Sequence, residues 1–159
     1  MKKNKFIILF IIFSGIIFVA CDRKKVYEEY IEIDNYVWET DKTINFEFEI
    51  TDTLSLYNIF LNIRHASVYP YNNLWLFITS SAPNGNIAKD TVEYILIDKN
   101  GRWLGDGLGD IWDLQKPWKQ NVRFAHTGKY RVELEQAMRI PALPGIMDMG
   151  LRVEKIESR

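Results

Sequence analysis

Cysteine and histidine are scarce in this 159-residue chain: one cysteine, Cys21, and two histidines, His65 and His126. A single cysteine excludes an internal disulfide. Two histidines far apart in sequence, each at a strand end or loop, give no metal-ligand spacing. Both are expected as surface or turn residues, and no metal or cofactor is expected. A nucleophile elbow of the G-x-S-x-G kind is missing too. Ser80 and Ser81 follow a strand without a base, so no catalytic residue is assigned and the chain is not expected to be an enzyme. Acid pairs of the glycosidase type exist, but nothing in the linear sequence selects one. No helical period, internal repeat or low-complexity tract is present.

One long apolar run is present, at the amino terminus. Lys2, Lys3 and Lys5 precede an uncharged stretch from Phe6 to Ala20, which ends in Cys21-Asp22-Arg23-Lys24-Lys25. A membrane-spanning helix needs about 20 apolar residues, and this run falls short. A positive head, an apolar run and a small residue before the cut describe a secretory signal. Phe18-Val19-Ala20-Cys21 resembles a bacterial lipobox, with Phe18 where Leu is usual. Residues 1–20 are therefore read as a lipoprotein signal peptide, and Cys21 as the lipid-modified first residue of the mature chain. Lipidation gives the lone cysteine a use, since a thioether consumes the thiol. Two or more acyl chains anchor stably where one does not.

Removal of residues 1–20 leaves 139 residues, enough for one domain with a core. The leader holds three of the twenty lysines and arginines and none of the acids. The remainder carries 17 basic residues against 21 acidic, a net charge of −4. Without a clustered basic stripe, nucleic acid is not an expected partner. Arg23-Lys24-Lys25 reads as a solvated run beside the anchor, with contact to anionic head groups as the alternative.

Residues 21–40 read as a lipidated tether that merges into the domain. Val26 to Ile33 has no clean period, and part of it is expected to pack on the domain edge. The domain itself, 41–159, is dominated by strand signals. Ile44 to Ile50 alternates strictly, putting Ile44, Phe46, Phe48 and Ile50 on one face. Tyr57 to Arg64 does the same with Tyr57, Ile59, Leu61 and Ile63. Leu74 to Ser80 is nearly all apolar and reads as a central strand with Trp75 in the core. Pro83-Asn84-Gly85-Asn86 is a turn. Thr91 to Asp98 is a strand closed by the Asn100-Gly101 hairpin signal. Asn121 to Phe124 is a short strand. Lys129 to Met138 is a long one with Tyr130, Val132 and Leu134 alternating. Arg139 to Gly145 reads as a loop, and Met149 to Ile156 as the closing strand. Seven to nine strands at these spacings predict an all-β fold, a single antiparallel β-sandwich, with immunoglobulin-like and jelly-roll topologies both open.

Gly105 to Asp113 is the most unusual stretch. Its alternating glycines lack the βαβ setting of a phosphate loop. It reads as a glycine-rich bend, with calcium ligation by Asp106, Asp110 and Asp113 as the alternative. Five tryptophans are many for this length. Trp103, Trp112 and Trp118 flank the same region and are the candidates for stacking on a sugar ring; covering an edge or anchoring a protein interface is the alternative.

The whole sequence from Cys21 onward resembles the GldH family of gliding-motility lipoproteins. The resemblance runs through Cys21-Asp22, Tyr27, Tyr30 and Trp38, then FEFEITDT (46–53) and YNIFLNIRHASVYPYNNLWLFIT (57–79). It continues in PNG (83–85), DTVEYIL (90–96), WLGDGLGDIWD (103–113), VRFAHTGKYRVELEQAMR (122–139) and LPGIMDMGLRVEKI (143–156). It implies a lipid-anchored, non-enzymatic envelope protein of the gliding and type IX secretion machinery, in the outer membrane. Its partners would be other envelope, motility or secretion proteins, with the membrane held through Cys21. No functional residue beyond Cys21 carries over. The alternative is a carbohydrate-binding surface lipoprotein.

Overall fold

A computed structural model describes residues 22–156. Residues 1–20 and Cys21, the expected leader and lipidation site, lie outside the described residues.

Almost every element is a strand. Five make one sheet: β1 (Lys25–Glu32), β4 (Leu56–Ala66), β7 (Asp106–Leu108), β8 (Ile111–Val122) and β11 (Ile146–Ile156), in the order β1-β11-β4-β8-β7. Four make the other: β3 (Ile44–Ile50), β5 (Asn73–Ser81), β6 (Ile87–Ile95) and β9 (Gly128–Gln136), in the order β3-β9-β5-β6. A two-stranded ribbon joins β2 (Val37–Glu39) to β10 (Ala142–Pro144). Every pairing is antiparallel. The only helical piece among the described residues is a single 3₁₀ turn, Asp34–Tyr36.

The two sheets pack face to face as a sandwich, and the period-two pattern explains why. In β3 the four apolar residues are buried and the three polar ones between them are exposed. Tyr57, Ile59, Leu61 and Ile63 of β4 lie inward, as do Tyr130, Val132 and Leu134 of β9. Leu151 and Val153 of β11 complete the facing layer. Fully burying each such side chain contributes roughly 1.5–3 kcal/mol.

Five expectations are corrected by this architecture. The segment 22–40 is no tether from Lys25 onward: β1 pairs along its length with β11, and β2 holds the fully buried Trp38. The short strand expected at 121–124 is the tail of β8, which starts at Ile111 and is the longest strand. Pro117 sits inside β8, which has β4 on one side and β7 opposite only Ile111–Asp113 on the other. From Leu114 onward β8 is therefore an edge, where a missing N–H breaks no ladder. The loop expected at 139–145 contains β10.

Trp75 is not in the core. β5 is an interior strand, but Leu74, Leu76 and Ile78 take the inner face, leaving Trp75 and Phe77 exposed outside. His65, expected at the surface or in a turn, is fully buried near the end of β4.

The connections define two ends. One end carries residues 22–25, the β3–β4 loop (51–55), the β5–β6 turn (82–86) and the β8–β9 loop (123–127). Phe124 plugs it, packing edge-on against Phe48, Tyr57 and Tyr130. The opposite end carries the 3₁₀ turn, the β7–β8 hairpin and the start of β11.

Candidate interaction cleft

At that opposite end, β1, the 3₁₀ turn, β4, the β7–β8 hairpin and β11 enclose an open cleft of about 530 Å³. Arg64, on the outward side of β4, stands in it. Its Nε donates to Asp113 at 2.7 Å and its Nη1 to Asp148 at 3.1 Å. The guanidinium also lies 5.6 Å from the centre of the Tyr30 ring. The hydrogen bond that Arg64 donates to Asp113 raises the Arg64 pKa above its ordinary value. Glu32 and Asp106 complete the charged lining. Asp106 and Asp113 are directly opposed across the β7–β8 pair, an arrangement of like charges that costs stability. One cation against four carboxylates leaves the cleft acidic.

Its rim is apolar. Leu108 is 86% exposed at the hairpin, beside exposed Ile111 and Tyr36. Tyr36 and Asn35 are consecutive non-glycine residues at φ of 56° and 54°, a left-handed conformation that such side chains adopt at a cost. The Tyr36 carbonyl accepts the Gly145 N–H at 2.8 Å, which holds the turn in place. A second hollow of about 660 Å³ lies on the other side of the turn, between β1, β2 and β3. Its floor includes Trp38, whose indole Nε1–H donates to the Lys42 carbonyl at 2.8 Å.

The glycine-rich stretch folds as the β7–β8 hairpin that forms one wall. A Cβ on Gly107 would lie 2.5 Å from the Trp112 ring, and one on Gly105 would lie 2.2 Å from the Asp113 carbonyl oxygen. Close approach of ring and backbone therefore dictates both glycines. Asp110 marks the hairpin tip, where its carbonyl accepts the Ser67 N–H at 2.8 Å. Among the described residues no three carboxylate, histidine or cysteine groups converge as metal ligands.

The three candidate tryptophans do not form one platform. Trp103 is half-buried against His65, ring centres 4.5 Å apart. Trp112 is half-buried, its Nε1–H donating to Ser67 Oγ at 3.0 Å. Trp118, also half-buried, donates to Asp90 at 3.0 Å. Trp112 and Trp118 are six residues apart on β8, about 20 Å at strand rise. His126 is an exposed loop residue whose Nε2 meets Asn84 Nδ2 at 3.1 Å. Ser80 lies within β5 and Ser81 ends it, and both pair with β6.

Sequence reasoning missed Arg64, Tyr36, Glu32 and Asp148. A charged residue facing outward on a strand carries no signal of its own. The tight turn at Asn35 could have been suspected from Asp34-Asn35, but not the left-handed tyrosine after it.

Fold and cleft together describe an antiparallel β-sandwich that presents an open, acidic, apolar-rimmed surface at one end. The sequence profile of the GldH lipoproteins matches residues 25–153, and the chain belongs to that family. It is 39% identical over 163 residues to the Gliding motility lipoprotein GldH homolog of Christiangramia forsetii, covering 98% of this chain and 99% of that one. It is 34% identical over 160 residues to the Gliding motility lipoprotein GldH of Flavobacterium johnsoniae, covering 96% and 97%. Membership of a lipoprotein family puts the chain at a membrane of the cell envelope. Among solved structures, the infectious bursal disease virus VP2 subviral particle matches 84% of this chain and 33% of that chain, at a TM-score of 0.40 and 18% identity, too distant to bear on function.

Proposed function

We propose that this chain is a non-enzymatic component of the gliding-motility and type IX secretion-associated machinery, held in the outer membrane by lipid on Cys21. The observation that carries the reading is the identity with gliding-motility lipoproteins along nearly the whole length of both chains. The leader residues 1–20 and the lone Cys21 support export and lipidation. The acidic cleft with its exposed Leu108, Ile111 and Tyr36 supports action through partner proteins, because exposed apolar groups beside charged ones suit a protein interface.

Deletion of the gene, complemented by wild type or by Cys21→Ala, tests the reading. Loss of cell spreading and of surface delivery of secreted proteins is expected on deletion, with rescue by wild type and not by Cys21→Ala. Intact spreading and intact secretion in the deletion strain would overturn it. A photo-crosslinking residue at position 108 should give a discrete envelope adduct that one at exposed Thr91 does not.

A further inference from the structure

The end of the sandwich nearest Cys21 is built unlike a tethered domain. The Asp22 carboxylate accepts a hydrogen bond from the Arg152 guanidinium of β11 and one from the Lys24 backbone N–H at 3.3 Å. The Asp22 carbonyl accepts the Lys25 N–H at 3.2 Å, and the Lys24 carbonyl accepts the Lys155 N–H at 2.8 Å. The first described residue is thus bonded to the sheet through both side chain and main chain. Cys21 is one peptide unit away, about 3.8 Å between Cα atoms. A lipid on Cys21 leaves no slack between the bilayer and this end.

The composition of that end fits a lipid surface. Leu54 in the β3–β4 loop is 83% exposed and Ile87 at the β5–β6 turn is 65% exposed; Val26 and Leu56 are exposed as well. Arg23, Lys24 and Arg123 are exposed and take part in no ion pair among the described residues. Most carboxylates there are paired, with Glu49 exposed outside any ion pair among the described residues. Glu28 and Glu154 pair with Arg152 at 3.0 and 2.6 Å, and Asp52 pairs with Lys155 at 2.6 Å. Free cations and exposed aliphatics therefore face outward, whereas the cleft at the opposite end is acidic. Basic groups beside an anchor are drawn to anionic head groups, and aliphatics enter the interface between head groups and acyl chains.

We infer that this end of the sandwich seats directly on an anionic phospholipid surface, with Leu54 entering the interface and the acidic cleft pointing away. The inference rests on lipidation at Cys21. Eight residue steps along β4 separate Leu56 from Arg64, so the cleft stands about 26 Å farther out than this end at a rise of about 3.3 Å per residue. The Asp22–Arg152 contact fixes the orientation in which a partner finds it.

Hydrogen exchange tests the seating. The full protein, purified from membranes, is reconstituted into phosphatidylethanolamine vesicles with and without phosphatidylglycerol, and the mass of its amino-terminal peptide is measured. With lipid on Cys21, amides of 51–55 and 123–127 should exchange more slowly on anionic vesicles than in detergent, while 106–110 stay unchanged. Leu54→Asp, at an exposed loop position, should lose that protection and stay vesicle-bound. A lipidated protein whose two ends exchange alike on vesicles and in detergent would overturn the seating and leave the anchor intact. Protection of 51–55 that rises with protein density and not with phosphatidylglycerol would reassign the surface to a second copy. An amino-terminal peptide without lipid would overturn the anchor, and the seating with it.

Discussion

At the scale of single residues, Phe48 and His65 show what local pattern does and does not reveal. Phe48 is 4% exposed, and its ring lies 5.6–5.9 Å from those of Tyr27, Phe124 and Tyr130. Phe48→Ala should cost about 3–5 kcal/mol in denaturant unfolding; a neutral result would mean that the site collapses around the gap. Alternation alone identifies this residue as core. His65 escapes that logic, because a polar residue on the inner face breaks the pattern that would have revealed it. Its ring lies against Trp103 and Tyr69, and its Nε2 is buried without a partner. Burial pushes the imidazole below its ordinary 6.5. In the unfolded chain the ring takes a proton near that ordinary value. Between the two values the unfolded state binds more protons, so stability rises with pH. The contribution is complete above 6.5 and is lost as pH falls from there toward the folded-state value. Unfolding midpoints measured from about pH 8 to about pH 5 should fall on acidification, and His65→Phe should flatten that fall. Equal slopes in both proteins would remove His65 as the cause. Asp52, held well below the carboxylate range by Lys155, acts lower. Its contribution is present above 3.8 and is lost only as pH drops below that.

At the scale of elements, legibility follows the number of faces a strand buries and the neighbours it pairs with. β3, β4 and β9 alternate cleanly because one face meets the core and the other meets water. β8 hides its period behind Pro117 and two irregularities in register near Ile59 of its partner. β1 is hidden for another reason. Its contacts are remote: Tyr27 packs on Phe48, Arg152 pairs with Glu28, and Asn62 Nδ2 donates to Glu28 Oε1 at 3.4 Å. Only the fold brings residues 28, 62 and 152 together. Arg152→Met would leave Asp22, Glu28 and Glu154 without their shared cation. We expect a loss of about 1–3 kcal/mol and faster amide exchange along Lys25–Glu32 than along β3. Unchanged exchange in β1 would mean that its backbone ladder with β11 suffices.

At the scale of the whole molecule, β1 and β2 belong to the sandwich, so residues 22–40 are needed for the fold. A chain beginning at Asp41 would expose the β11 edge, remove Tyr27 from Phe48 and open the hollow over Trp38's place. It should lack a cooperative unfolding transition and aggregate through the bared edge; a soluble fragment with a normal transition would restore the tether. The sequence alone determined the all-β class, most of the inward-facing residues and the hairpin turns. These depend on alternation and on turn chemistry within a few residues, which any local stretch displays. Tertiary structure alone decided that β1 closes the edge, that His65 is buried, and that Arg64 gathers carboxylates from β8 and β11. Some of those contacts join residues 124 apart in the chain, and no local period records which distant strand will lie alongside.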